Sequence, residues 1–108
     1  MTDQEAEARL RESGLGEAGW TIVEAVPGEK ALSRSLTFKN FRTALALTSA
    51  IGAQAEEQKH HPRLTTEWGA VRVEWWTHSI GGLHENDFVM AAKTEELAKD
   101  AEGIKPSK

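Results

Sequence analysis

Two stretches of the chain alternate side chains with a period of two, and each is followed by a longer segment with helical periodicity. The alternating stretches are Ala31–Phe38 and Val71–Trp76, and the helical segments are residues 39–59 and 84–100. Alternation with a period of two is typical of strands that bury one face, whereas a period of 3.6 indicates amphipathic helices. The pattern therefore restricts the chain to folds in which helices cover a sheet.

The remaining segments complete the order helix-strand-strand-helix-strand-strand-helix. The predicted elements are a helix over 2–14, strands over 20–26 and 31–38, a helix over 39–59, strands over 63–67 and 71–76, and a helix over 84–100. Two hairpins and three helices predict the α+β class, an antiparallel sheet with its helices on one face. With 108 residues, we expect one domain over 1–108, with a disordered tail from about residue 102.

Cysteine is absent from the sequence, which excludes disulfides, thiolate nucleophiles and sulfur-ligated metal sites. The formal net charge of −4 argues against a protein that binds duplex nucleic acid through a basic face. The acidic first ten residues resemble neither a signal peptide nor a transit peptide, and no run reaches the roughly 20 apolar residues of a membrane helix. We therefore expect a cytoplasmic protein with no membrane partner.

Three of the four histidines lie where predicted elements end. His60 and His61 precede Pro62, which cannot continue the helix, and His78 follows a strand. Because functional side chains are often found in such places, the three imidazoles could converge on one cleft. Imidazole suits proton transfer near neutral pH, since its unperturbed pKa is about 6.5. Glu56, four residues before His60, should lie on the same side of the helix.

Each candidate residue also has a structural interpretation. A histidine near a helix end can interact with free carbonyls and with the helix dipole, and Asp87 can be a first-turn acid. The four tryptophans are expected in the core or at an interface. A zinc site of three histidines and a carboxylate is a further alternative. However, the adjacent His60 and His61 would project in different directions and no His-Glu-x-x-His motif is present, so we expect no metal.

Residues 56–87 resemble the signature of the pterin-4a-carbinolamine dehydratases. The matching residues are Glu56, His60, His61, Pro62, Trp68, His78, Gly82, Leu83 and Asp87. Upstream, Gly19-Trp20, the segment Leu36-Thr37-Phe38 with Phe41, and the helix that leads to His60 also resemble the family. The resemblance covers about residues 5–97, and the combination of His-His-Pro, Thr-His and Gly-Leu-x-x-x-Asp is a specific one.

The resemblance implies a four-stranded antiparallel sheet with three helices, in a homodimer or homotetramer. It also implies the loss of water from 4a-hydroxytetrahydrobiopterin, or a related 4a-hydroxy-tetrahydropterin, after an aromatic amino acid hydroxylase has released it. The product is quinonoid dihydropterin, which a separate reductase recycles. The resemblance implies neither a metal nor an organic cofactor.

The resemblance also implies a set of site residues. Those expected to be catalytic are His60, His61 and His78, and those expected to bind or support the substrate are Glu56, Asp87, Pro62 and Trp20. We expect His60 and His78 to transfer protons and His61 to orient the pterin. Glu56 and Asp87 would orient imidazoles or favour their protonated forms.

Two positions depart from the family pattern. His84 stands where the family often has a Thr or Ser that caps the last helix and pairs with the acid three residues later. We therefore expect a weaker cap and a somewhat different orientation of Asp87. Gly69 replaces the usual polar residue after the aromatic turn. Neither change removes an expected catalytic group.

A non-enzymatic role is the main alternative, because this fold has been reused for assembly chaperones and for dimerisation partners of transcription factors. Relatives without catalysis would be expected to lack part of the histidine set, which this chain keeps whole. We therefore expect an enzyme. An exposed sheet edge would suit strand pairing between subunits.

Overall fold

The sheet is built from two hairpins that pair through their second strands. A computed structural model describes residues 1–105. Its elements are α1 (Asp3–Glu12), α2 (Leu15–Ala18), β1 (Thr21–Val26), β2 (Glu29–Thr37), α3 (Phe41–Gln58), β3 (Arg63–Glu67), β4 (Ala70–Trp75) and α4 (Glu85–Lys99), with a 3₁₀ turn at His78–Ile80. The antiparallel strands lie in the order β1-β2-β4-β3. The predicted α+β fold is confirmed, with the single turn α2 added.

The helices α3 and α4 cover one face of the sheet. Leu32 of β2 lies opposite Trp75 of β4, and both side chains are buried. Trp75 Nε1 donates a 3.0 Å hydrogen bond to Thr94 Oγ1, which places α4 over this face. The hydroxyls of Thr48 in α3 and Thr66 in β3 lie 2.7 Å apart on the same side. The apolar core therefore lies between this face and the two helices. Within residues 1–105, no helix is long and apolar enough to cross a membrane.

The opposite face carries a partly buried ion pair near the end of β4. Arg63 lies across from Glu74, and its guanidinium donates to both carboxylate oxygens at 2.8 and 3.2 Å. The hydrogen bond to Glu74 raises the pKa of Arg63. The same guanidinium lies 5.2 Å from the centroid of the Trp76 ring and donates to the main-chain oxygen of Ala25. Arg63 therefore links β1, β3 and the residue after β4.

Capping residues define where helices α1 and α3 begin and where α3 ends. The predicted capping box of α1 is present, because the Thr2 hydroxyl accepts from the Glu5 N–H and Glu5 accepts from the Thr2 N–H. The hydrogen bond from the Thr2 main-chain N–H is the main cause that lowers the pKa of Glu5. The side chain of Asn40 caps the start of α3. That helix ends at Gln58 and is followed by Lys59, whose φ of 56° lies in the left-handed region. The chain therefore turns away from the helix axis before Pro62.

Residues 102–105, where the sequence predicts disorder, are ordered. Two main-chain hydrogen bonds of 2.9 Å tie this segment to the end of β2 and the residues that follow it. Ile104 forms an isolated β-bridge with Phe38 and packs against the core. The prediction is wrong here because one apolar side chain and local main-chain pairing suffice to hold the segment. Residues 106–108 of the predicted tail lie outside the described residues.

Replacing Gly19 with alanine should destabilise the fold by about 2–4 kcal/mol. Gly19 has a φ of 122°, which side chains rarely adopt, and an added Cβ would lie 2.5 Å from Nη1 and 2.9 Å from Cζ of Arg34. The guanidinium of Arg34 would have to shift, which strains the 2.8 Å hydrogen bond that its Nε donates to Glu95. Urea unfolding of the two proteins measures the difference.

Gly28→Ala is the matched control for this prediction. Gly28 also has a positive φ, of 82°, but no atom lies within 4 Å of an added Cβ. The free energy of unfolding of this variant should fall by only about 1 kcal/mol, from backbone strain alone. Equal losses in the two variants would show that the contact with Arg34 contributes nothing.

Candidate active site

The ends of α3 and β4 bring the three expected histidines to one cleft. The cleft has a volume of about 420 Å³ and is lined by Lys59, His60, His61, Thr77, His78 and Ser79. It opens where the left-handed turn after α3 meets the 3₁₀ turn after β4. A separate pocket of about 300 Å³ lies between α1 and the loop at residues 80–83, and its lining contains no histidine. Three of the four histidines therefore line the first cleft, and the fourth, His84, lines a different pocket beside α1.

A buried carboxylate holds the first of these histidines. His60 Nε2 lies 2.6 Å from Oδ1 of Asp87, which is 0% exposed. The other carboxylate oxygen accepts from the Thr77 hydroxyl and from the His84 main-chain N–H, each at 2.9 Å. Asp87 lies in the first turn of α4, where the helix dipole favours a negative charge. An ionised Asp87 only accepts hydrogen bonds, so His60 Nε2 is the donor in this pair.

The other ring nitrogen of His60 makes no hydrogen bond in the part of the chain that the structure describes, and His60 is one of the residues that line the cleft. The Nδ1 atom has no hydrogen-bond partner among residues 1–105, and no buried side-chain nitrogen in that range lacks one. Nδ1 must therefore be accessible, although only 18% of the His60 side chain is exposed. With Nε2 protonated, Nδ1 carries the lone pair of the neutral imidazole. The contact with Asp87 thus leaves the second ring nitrogen of His60 available to another group.

Glu56 pairs with His61, whereas the helical spacing predicts only that Glu56 lies on the same side of the helix as His60. The distance from Glu56 Oε1 to His61 Nε2 is 2.9 Å, and the two side chains are 80% and 61% exposed. The helix ends at Gln58, and the left-handed Lys59 rotates the following residues out of helical register, which brings His61 to Glu56. An ion pair this exposed contributes little to stability. Glu56 is not among the residues that line the cleft.

Two adjacent tryptophans position the other two imidazole rings. Trp75 stacks on His60 with ring centroids 5.7 Å apart and an interplanar angle of 5°, and Trp76 stacks on His78 at 4.3 Å and 27°. Consecutive residues of a strand point to opposite faces, so the pair supports the cleft from both sides of the sheet. The sequence predicts both tryptophans in the core or at an interface, but it does not predict their stacking on the histidines. The adjacency of Trp75-Trp76 to Thr77-His78 was the available signal.

Trp20 and Pro62, the remaining expected site residues, do not line the cleft. Trp20 is buried, and its Nε1 donates at 2.8 Å to Glu95, the same carboxylate that holds Arg34. The structure therefore places Trp20 in the packing between the sheet and α4. Pro62 is half-buried and directly follows His61, where it begins the extended chain that leads into β3.

His84, which stands where the family often has Thr or Ser, does cap the start of α4. His84 Nδ1 accepts from the Asn86 N–H at 3.2 Å, and the His84 main-chain N–H donates to Asp87. The reciprocal capping arrangement is thus present with an imidazole in place of a hydroxyl. Asp87 retains its place beside His60. Within residues 1–105, no group of three or more histidines and carboxylates is arranged to hold a metal ion.

Comparison with known proteins identifies the family of this chain. The sequence model described as pterin 4 alpha carbinolamine dehydratase matches residues 1–97. The chain belongs to the pterin-4a-carbinolamine dehydratase family. A family protein from Chlorobium luteolum, whose name gives that dehydratase activity as a provisional assignment, is 49% identical over 100 residues, covering 93% of this chain and 83% of the relative.

Solved structures support the family fold. A protein from Brucella melitensis, described as a transcriptional coactivator/pterin dehydratase, is 34% identical with a TM-score of 0.75, over 91% of this chain and 97% of its own. A pterin dehydratase-like protein, described as a RuBisCO assembly factor in the alpha-carboxysome, is 21% identical with a TM-score of 0.60. The match covers 74% of this chain and 89% of that one, and it shows the shared fold alone.

Proposed function

We propose that this protein catalyses the loss of water from a 4a-hydroxy-tetrahydropterin, giving quinonoid dihydropterin. The observation that carries the proposal is the pairing of His60 with the buried Asp87 in a cleft that also contains His61 and His78. Membership of the family supports a small pterin as the substrate. We further propose that the protein serves pterin recycling for an aromatic amino acid hydroxylase, as a homodimer or homotetramer.

The reaction requires one proton to be delivered and one to be removed. The C4a hydroxyl is a poor leaving group, so an acid must protonate it as the C4a–O bond breaks. A base removes the proton from N5, and the electrons of the N–H bond form the C4a=N5 double bond. Water leaves, and the base has gained one proton while the acid has lost one. Proton exchange between the two groups or with solvent restores both, so the reaction consumes no other reactant. Groups that titrate near neutral pH perform both transfers efficiently.

The site geometry favours His60 as the base. Its Nε2–H donates to Asp87, so Nδ1 is free to accept the proton from N5. The carboxylate then stabilises the imidazolium that forms, because it lies 2.6 Å away and is shielded from water. Within residues 1–105, the His78 imidazole makes no hydrogen bond and is held by stacking on Trp76. We assign His78 as the acid for the C4a hydroxyl and His61 to binding and orienting the pterin.

His78→Ala should lower kcat about 10²-fold or more, because it removes the proton donor. His61→Ala should mainly raise KM, because it removes a binding contact. The assay generates the 4a-hydroxy-tetrahydropterin with a hydroxylase and follows its conversion by absorbance. His84→Ser is the matched control, since the fourth histidine lies outside the cleft and serine can also cap α4.

This comparison distinguishes an enzyme from a protein that only binds other partners. The proposal expects His84→Ser to retain the wild-type rate while the two cleft variants do not. If the folded wild-type protein gives no acceleration over the spontaneous reaction, the proposed activity is wrong. The family's use as a scaffold for other partners would then be the better account.

A further inference from the structure

The contact between His78 and Trp76 differs from the one that holds His60. His60 is held by its hydrogen bond to Asp87, whereas the exposed imidazole of His78 has no hydrogen-bond partner among residues 1–105. Its ring lies against the indole of Trp76, with centroids 4.3 Å apart. Trp76 is only 3% exposed, so the ring against which His78 stacks is itself buried. The stack is therefore the main restraint on the orientation of this imidazole.

The indole of Trp76 is itself fixed by two charged residues. Its Nε1 donates a 2.9 Å hydrogen bond to Oε1 of Glu29 at the start of β2. The guanidinium of Arg63 lies 5.2 Å from the ring centroid, and Glu74 holds that guanidinium in place. A ring restrained at its edge and by a cation cannot tilt freely. Trp76 thus has the rigidity that a support for a reacting group requires.

We propose that Trp76 is a positioning residue that sets the orientation of the His78 imidazole for proton transfer. The inference rests on the proposed dehydratase function. An aromatic face restricts rotation of the stacked ring and interacts favourably with an imidazolium, the form in which His78 would donate. Small displacements of a reacting group can lower a rate about 10²-fold. Trp76 should therefore affect kcat much more than KM.

The test compares Trp76→Leu, which removes the aromatic face, with Trp76→Phe, which retains one. Trp76→Leu should lower kcat by about ten- to a hundredfold with little change in KM, and Trp76→Phe should restore most of the loss. NMR of the free protein should show that the His78 ring protons lose their ring-current shift in Trp76→Leu only. Trp68→Leu is the control, because Trp68 is 69% exposed on the β3–β4 turn.

Glu29 provides a second route to the same test if Trp76→Leu does not fold. Glu29→Ala frees the indole edge without opening the core, and Glu29→Gln retains an oxygen that can accept from Nε1. We expect a lower kcat and altered His78 signals in Glu29→Ala alone. Unchanged kcat and unchanged His78 signals in Trp76→Leu, or equal effects of both Glu29 variants, would overturn the inference.

The inference and the proposed function fail in different ways. Absence of turnover in the wild-type protein would contradict the dehydratase function and, with it, the positioning role. Wild-type turnover with an unaffected Trp76→Leu variant would contradict the positioning role and leave the function standing.

Discussion

Replacing His60 with alanine should lower kcat for dehydration by a factor of about 10²–10⁴. The variant loses the nitrogen that accepts the N5 proton, and Asp87 loses the imidazole that it orients. KM should change less, because the other two histidines still line the cleft. Steady-state rates over a range of pterin concentrations separate the two constants.

His60→Gln is the control that separates loss of the base from loss of structure. The glutamine amide can donate a hydrogen bond to Asp87, but it has no nitrogen that accepts a proton near neutral pH. The free energy of unfolding should therefore recover relative to His60→Ala, while kcat stays low. A His60→Gln enzyme with wild-type kcat would show that His60 is not the base.

Replacing Asp87 with asparagine should lower kcat about 10²-fold or more, through the tautomer of His60. The carboxylate accepts from three groups: His60 Nε2, the Thr77 hydroxyl and the His84 N–H. If the asparagine oxygen keeps the hydrogen bonds from the Thr77 hydroxyl and the His84 N–H, the NH₂ group of the asparagine faces His60. Nε2 would then have to accept, and the proton would move to Nδ1. The nitrogen that faces the substrate would become a donor instead of a base.

Asp87→Ala separates this effect from stability. Alanine leaves buried donors unpaired beside α4, which should destabilise the fold by about 2–4 kcal/mol. Asparagine satisfies most of these donors. The free energy of unfolding, measured in urea, should therefore fall less in Asp87→Asn than in Asp87→Ala. If Asp87→Asn keeps the wild-type kcat, or its rate falls only in proportion to the unfolded fraction, the proposed role of Asp87 is wrong.

The sequence predicts the fold well because its local signals agree with one another. The alternation over residues 31–38 and 71–76 and the helical period between them leave few other arrangements. The single turn α2 was missed because four residues between glycines carry no periodic pattern. The ordered segment at residues 102–105 was missed because one isoleucine among polar residues does not indicate a contact with Phe38.

The candidate site could be predicted in composition but not in its pairings. Family resemblance indicated the three histidines with Asp87, and the structure brings the four residues together. Which carboxylate faces which imidazole depends on the left-handed turn at Lys59, and no spacing rule anticipates a positive φ at a lysine. The stacking of Trp76 on His78 depends on where a 3₁₀ turn redirects the chain after β4.

Multiple turnover by the wild-type protein is the most direct test of the dehydratase function. The 4a-hydroxy-tetrahydropterin would be formed in large molar excess over the protein, and its disappearance would be followed against the spontaneous rate. The account predicts that each protein molecule converts many substrate molecules, at an initial rate proportional to protein concentration. A rate equal to the spontaneous one, or a burst that ends after one equivalent per site, would contradict catalysis at this cleft.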